Sequence, residues 1–184
     1  MSVHSAIPVA GPLPHDVRLS PLEPHRDERG TFLELFREEW ETDVKPVQWN
    51  VVDSEAGVLR GVHVHPCHDD YLTVVRGRVT IGLKDLRPES PSEGFAACVE
   101  LSAEEPAAIS IPHGVAHGFY FQQASMHIYA VSHYWDLADE LGCRWDDPSL
   151  EIPWPQSEAH ISTRDAELPS LAELRGEFES AWRG

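Results

Sequence analysis

Gly61-Val62-His63-Val64-His65-Pro66-Cys67-His68-Asp69-Asp70-Tyr71-Leu72-Thr73-Val74-Val75-Arg76-Gly77 is the stretch around which the rest of the chain is organised. His63 and His65 stand two residues apart, and on a β-strand that spacing turns both imidazoles to one face. Asp69 and Asp70 follow, and a second strand from Leu72 to Val75 runs into Gly77. Further along, Ile111-Pro112-His113-Gly114-Val115-Ala116-His117-Gly118-Phe119 supplies another histidine beside turn residues. Two strand pairs that offer histidines to one interior make a site.

The pairing resembles the cupin signature, a small β-barrel whose first motif is His-x-His, an acid and a Gly, and whose second is Pro-x-Gly-x-x-His. His63, His65, Asp70 and Gly77 match the first, with Asp70 where most cupins have Glu; Pro112, Gly114 and His117 match the second. Phe121 stands where cupins often have Asn. The resemblance implies an all-β fold, a cupin-type antiparallel jelly-roll barrel with a short C-terminal helix.

Composition narrows the partners. A chain of 184 residues, 41% of them hydrophobic, suits one domain over residues 1–184 with a full core. A net charge of −17 argues against nucleic acid or an anionic membrane surface. It leaves room for an anionic small ligand, because a few clustered arginines set the local field. There is no apolar run long enough to span a bilayer, and Met1 to His15 lacks the charged-then-apolar build of a signal peptide, so the expected compartment is the cytoplasm. Cys67, Cys98 and Cys143, at unrelated spacings, suit reduced thiols.

Outward from the histidine stretch, residues 1–15 read as an arm, and Val17 to Leu19 as a first strand. Thr31 to Phe36 alternates as a strand with Phe32, Glu34 and Phe36 on one face. Val47 to Val52 alternates with Gln48, Asn50 and Val52 on one side. Further strands are predicted at Val79 to Leu83, Ala97 to Leu101, Ala108 to Ile111, Gly118 to Gln122 and Met126 to Tyr134, a spacing that suits a sandwich or barrel. Only Ser170 to Trp182 looks helical, with Leu171, Leu174, Phe178 and Trp182 at packing spacing. His68, His113, His127 and His133 read as ordinary loop or strand histidines, and Trp145 and Trp154 as packing at the barrel's end.

From about Asp27 to Leu171 the chain is similar to the dTDP-4-dehydrorhamnose 3,5-epimerase family. The segments that carry the likeness include Asp27 to Glu34, Gln48 to Asn50, Gly57 to His63, Asp85 to Pro91, Ile111 to Phe119, Trp145 to Leu150, Ile152 to Pro155 and Ser162 to Asp165. Several such segments in the family's order are far more specific than any one motif.

The resemblance implies a homodimer of jelly rolls that binds a dTDP-sugar and works without a cofactor. By position, Arg29, Arg60 and Arg164 would hold the diphosphate, Phe32 would stack on the thymine beside Glu34, and Gln48 and Asn50 would serve the nucleotide. Guanidinium forks suit phosphate oxygens, and an aromatic face suits a pyrimidine. Family members remove a proton beside the C4 ketone of a 4-keto-6-deoxyhexose, pass through an enolate and reprotonate from the other face, at one carbon or two. His63 matches the base, Asp165 the carboxylate that orients it, Tyr129 a tyrosine of the sugar pocket, and His117 lies in the substrate pocket.

Two positions depart from the pattern. The family's lysine before the next strand aligns with Asp70, and the tyrosine that serves as acid aligns with Trp135, with Tyr134 one residue earlier. These departures sustain two alternatives. In one, His63, His65, Asp70 and His117 ligate a divalent metal such as Fe, Mn, Ni or Zn in a metal-dependent cupin enzyme. In the other, the protein binds a nucleotide sugar without turning it over. The metal and base readings compete for His63, since a ligating imidazole has no free lone pair.

Overall fold

Two antiparallel sheets face each other across an apolar interior, and side-chain alternation along each strand decides which residues reach it. The computed structural model describes residues 11–136 and 140–182. Most of the arm expected over residues 1–15 therefore lies outside the described residues.

The strands are β1 (Arg18–Pro21), β2 (Pro24–Asp27), β3 (Gly30–Leu33), β4 (Gln48–Ser54), β5 (Leu59–Val64) and β6 (Asp70–Arg76). They continue with β7 (Arg78–Asp85), β8 (Ala96–Ser102), β9 (Ala107–Ile111), β10 (Val115–Phe121), β11 (Ser125–Val131) and β12 (Leu141–Gly142). Helices α1 (Thr163–Ala166) and α2 (Leu171–Trp182) close the described chain. One sheet has the order β1-β9-β6-β11-β4, the other β12-β5-β10-β7-β8, and β2 and β3 form a separate hairpin. The strand connections jump between sheets, as a jelly roll requires.

Inward positions of β6, β7, β9 and β10 pack into one cluster that includes Leu72, Ile81, Leu83, Ile109 and Phe121, each almost wholly buried. Burying a side chain of this size stabilises by about 1.5–3 kcal/mol. β7 is covered on both faces. Its outward Gly82 lies beneath Ile152 and Trp154, and a Cβ there would come within 2.5 Å of the Trp154 ring, so only glycine lets that indole seat on the sheet.

On the outer face of the second sheet, Val62 and Val64 of β5 and Ala116 of β10 pack against α2 through Leu171, Leu174 and Phe178. Ser170 and Glu173 close the start of α2 reciprocally: the Ser170 N–H donates to Glu173 Oε2 (2.9 Å) and the Glu173 N–H to Ser170 Oγ (3.4 Å).

Several expectations need correction. The strand expected over Thr31 to Phe36 stops at Leu33, so Glu34 and Phe36 do not share a strand face with Phe32. Phe36 instead packs edge-on against Trp49 and Tyr71, and Glu34 pairs with Arg37 (2.7 Å). β11 ends at Val131 rather than Tyr134, which leaves Tyr134 and Trp135 exposed beyond the sheet. Helix α1 was not anticipated, because four residues carry no periodicity.

Candidate active site

β5 and β10 pair with His63 opposite His117, and the buried Val62 and Val64 claim the outer face of β5. Alternation then turns His63 and His65 toward the barrel interior. Across the interior, β6 begins at Asp70, paired with Val131 and Ile111, and β11 presents His127 and Tyr129 inward.

The carboxylate beside His63 comes from far along the chain. Ser162 accepts the Asp165 N–H (3.1 Å) and starts α1, which directs the Asp165 side chain at β5. His63 Nε2 lies 3.0 Å from Asp165 Oδ1, and the Gly61 N–H donates to Oδ2 at 3.3 Å. Gly61 has a positive φ of 105°, and a Cβ there would meet the His117 carbonyl oxygen at 2.9 Å, so glycine lets the two strands close on the dyad. Burial opposes the Asp165 charge, but hydrogen bonding and charge from His63, the Gly61 N–H and the Arg164 charge hold its pKa below the usual carboxylate value. With Nε2–H donated to Asp165, the His63 lone pair is on Nδ1.

Glu140 is the residue the sequence reading missed. It accepts from Arg164 (2.9 Å) and Trp135 Nε1 (2.8 Å), and its carboxylate stands 3.9 Å from both His63 Nδ1 and His65 Nδ1. Burial opposes its charge; Arg164, His63 and Trp135 together hold its pKa down. It sits in no motif, so nothing in the pattern marked it. Trp135 is thereby a hydrogen-bond donor to Glu140, and Arg164 is an ion-pair partner within this chain.

His65, Asp70 and His117 form a second cluster, 6%, 5% and 4% exposed, whose ligating atoms all lie within 4.8 Å of one another. His63 is not a member, which corrects the four-residue metal set: its Nε2 faces Asp165 instead. His68, in the loop before β6, is buried beside the cluster and stacked on His65 at 3.9 Å between centroids. Its place three residues after His65 was the available signal. Burial, then the charges of Glu140 and Asp69, raises the Asp70 pKa well above the ordinary value, and burial pushes His117 down to about 4. Burial, Asp70 and Glu140 raise Tyr129, so its phenol is protonated at neutral pH. His127 is packing, its ring against Phe119 and Phe121.

The remaining expected binding residues are dispersed. Gln48 Nε2 donates to Asn50 Oδ1 (2.9 Å) on the inward side of β4, and Arg60 Nε donates to Ser54 (2.9 Å). Arg29 and Phe32 sit on the β2–β3 hairpin, Arg29 paired with Asp27 and Phe32 63% exposed. Both line an open cleft of about 500 Å³ formed wholly by hairpin residues, apart from the dyad.

A jelly roll with a His–Asp dyad turned into its interior is the arrangement of a sugar epimerase of the cupin type. Residues 14–173 match the profile of one such family, described as dTDP-4-dehydrorhamnose 3,5-epimerase, and the chain belongs to it. A dTDP-4-dehydrorhamnose 3,5-epimerase from Sinorhizobium fredii is 36% identical over 163 residues, 83% of this chain and 84% of that protein. A dTDP-4-dehydrorhamnose 3-epimerase from Streptomyces niveus is 34% identical, over 83% of this chain and 78% of that protein. The crystal structure of the 3,5-epimerase from Legionella pneumophila with dTDP-4-keto-L-rhamnose superposes with a TM-score of 0.81 at 30% identity, covering 88% of this chain and 91% of that one.

Proposed function

We propose that this protein epimerises a dTDP-4-keto-6-deoxyhexose by removing a proton from carbon beside the C4 ketone, with His63 as the base. The observation that carries the reading is the 3.0 Å His63–Asp165 contact. A buried, ionised carboxylate fixes the imidazole tautomer, presents the Nδ1 lone pair and stabilises the imidazolium formed when a C–H proton arrives. Tyr129, with its phenol protonated, is the hydroxyl donor of the sugar pocket, and His117 lines it. Proton removal and return between side chains and an enolate calls on no redox or group-transfer cofactor.

For the nucleotide, Arg60 and Arg164 are the diphosphate partners from the barrel, with Arg164 exchanging Glu140 for phosphate, while Gln48 and Asn50 face the base and ribose. Arg29, Phe32 and Glu34 come from the hairpin region. The active form is a homodimer: β4 is an edge strand whose outward Trp49 and Val51 are 44% and 63% exposed, a surface that a second copy covers. A second copy also offers Arg29 and Phe32, which stand off the dyad of their own chain, to the neighbouring barrel. The unit is one domain, and no described helix is long and apolar enough to cross a membrane.

The test is solvent deuterium incorporation, followed by NMR with dTDP-4-dehydro-6-deoxyglucose in D2O. Exchange at C3, or at C3 and C5, is expected, and the pattern assigns one carbon or two. His63→Asn is expected to slow exchange by about 10²–10⁴-fold, the size of a general-base contribution, with Asp165→Asn following it. Unchanged exchange in His63→Asn removes this base from the reaction. Light scattering across a size-exclusion peak tests the dimer.

A further inference from the structure

We propose that the sugar this protein takes carries an amino group, whose ammonium seats on Asp70, His117 and His65 beside the base. The inference rests on the epimerase reading and names its substrate class, a dTDP-linked amino-4-keto-6-deoxyhexose. Asp70 Oδ2 lies 4.0 Å from His65 Nε2 and 3.9 Å from His117 Nε2, and the facing atoms of the three residues all stand within 4.8 Å of one another. None of these separations is a hydrogen bond, and among the described residues none forms to the Asp70 carboxylate, although Asp70 is only 5% exposed. An alkylammonium has three N–H donors and no acceptor, and with each bond about 2.9 Å long its tetrahedrally placed partners stand roughly 4.7 Å apart. Three acceptors at the observed spacing close on such a group with small shifts.

The atoms aimed at that centre are acceptors. His117 Nδ1–H donates to the Val115 carbonyl (3.1 Å), which leaves the Nε2 lone pair facing Asp70. Glu140 stands 3.9 Å from His65 Nδ1, and its charge favours the proton on that nitrogen, with Nε2 as the third acceptor. Among the described residues the ion-pair contacts of Asp70 are with histidines alone. An aspartate where the family pattern has lysine turns the charge offered to the sugar from positive to negative. Burial, Glu140 and Asp69 all oppose the Asp70 charge, and a seated ammonium offsets each of them. A sugar hydroxyl brings one donor and no charge, so it leaves the buried carboxylate without a counter-ion. His63 and His65 share a face of β5 about 7 Å apart, the reach of a pyranose ring and one substituent. A ring amine therefore reaches the seat while a carbon beside the ketone faces the base.

The test is calorimetric titration of the full chain at pH 7 with dTDP-3-amino-3,6-dideoxyglucose, its N-acetylated form and dTDP-6-deoxyglucose, which have a C4 hydroxyl in place of the ketone and do not react. Expected is an amine bound at least about tenfold tighter than the alcohol, the scale of one charge-assisted hydrogen bond, and an acetamide that loses the whole gain. In Asp70→Asn, with folding checked by near-UV circular dichroism, amine and alcohol should bind within about twofold of each other. The acetamide comparison needs no variant, so it decides the matter if Asp70→Asn does not fold. An amine bound no tighter than the alcohol or not at all, an acetamide bound as tightly as the amine, or a preference that survives Asp70→Asn overturns the ammonium seat. Deuterium exchange into dTDP-4-dehydro-6-deoxyglucose without any amine preference would overturn the seat alone. An amine preference with no exchange into that ketone or its 3-amino counterpart would overturn the epimerase reading alone.

Discussion

Asp70 and Asp85 are both buried in this barrel, and they are held in opposite ways. Asp85, wholly buried at the end of β7, is saturated: its carboxylate accepts from the Arg87 backbone N–H (3.0 Å), from Arg87 Nε (2.9 Å) and Nη2 (2.8 Å), and from the hydroxyls of Ser90 (2.7 Å) and Ser92 (2.6 Å). Burial raises its pKa, and these donors more than offset that and lower it. Asp70 is buried nearly as deeply, faces three imidazole nitrogens beyond hydrogen-bond reach, and has its pKa raised. Burial alone does not decide the charge of an aspartate; the donors within reach do. Asp85 folds a loop, and Asp70 stands in the interior beyond the reach of the imidazoles around it.

The largest test of this contrast is a pair of isosteric changes. Asp85→Asn leaves the largely buried Arg87 guanidinium with only the exposed Asp16 as counter-charge and should cost about 3 kcal/mol, a fall of roughly 6–12 °C in Tm for a chain of this size. Asp70→Asn removes a carboxylate with no hydrogen bond and should cost less than about 1 kcal/mol or raise Tm. Equal losses by calorimetry would break the comparison.

The pH dependence sharpens it. Because the folded pKa of Asp85 is depressed, its stabilisation is present above the unfolded value near 3.8 and disappears as pH falls through the folded value. The stability gap between wild type and Asp85→Asn should therefore hold from neutrality down to that region and then close, as read by urea midpoints at each pH. A gap that closes near neutrality would contradict the assignment. Next in size, Ser92→Ala removes one of several donors to Asp85 and should cost about 1 kcal/mol by urea unfolding. Smallest is Asp27→Asn: Asp27 also pairs with an arginine, Arg29, but on the surface, and no change in the urea midpoint beyond measurement error is expected.

The jelly roll was legible because period-two alternation and paired His-x-His and Pro-x-Gly-x-x-His motifs are local signals, and β4 and β6 to β9 fall on the expected runs, while β10 begins at Val115, ahead of the expected Gly118, and so takes in His117. Where alternation continued past the last pairing partner, as at Glu34 to Phe36 and Ser132 to Tyr134, the pattern overran the strand. His63 and Asp165 were legible only through resemblance, since no spacing rule relates residues joined by a chain reversal of this length. Glu140 was illegible: it acts through position beside the Arg164 and Trp135 side chains, and a lone glutamate next to a two-residue strand carries no pattern. His68 was passed over because a buried histidine and a loop histidine look alike until the fold brings Asp70 beside it.

Asp165 reaches the base from a segment that belongs to neither sheet. That segment is tied back through the Val58–His160 bridge, the Arg144 N–H to the Pro169 carbonyl and the Leu171 N–H to Asp147. During synthesis His63 therefore emerges long before the carboxylate that arms it, and the nascent barrel carries an unarmed imidazole until its tail wraps home. The same geometry makes the tail a point of control over damage: a protease cut between Gln156 and Ala159 would leave Asp165 beside the base only through these noncovalent ties, while both sheets keep their strands.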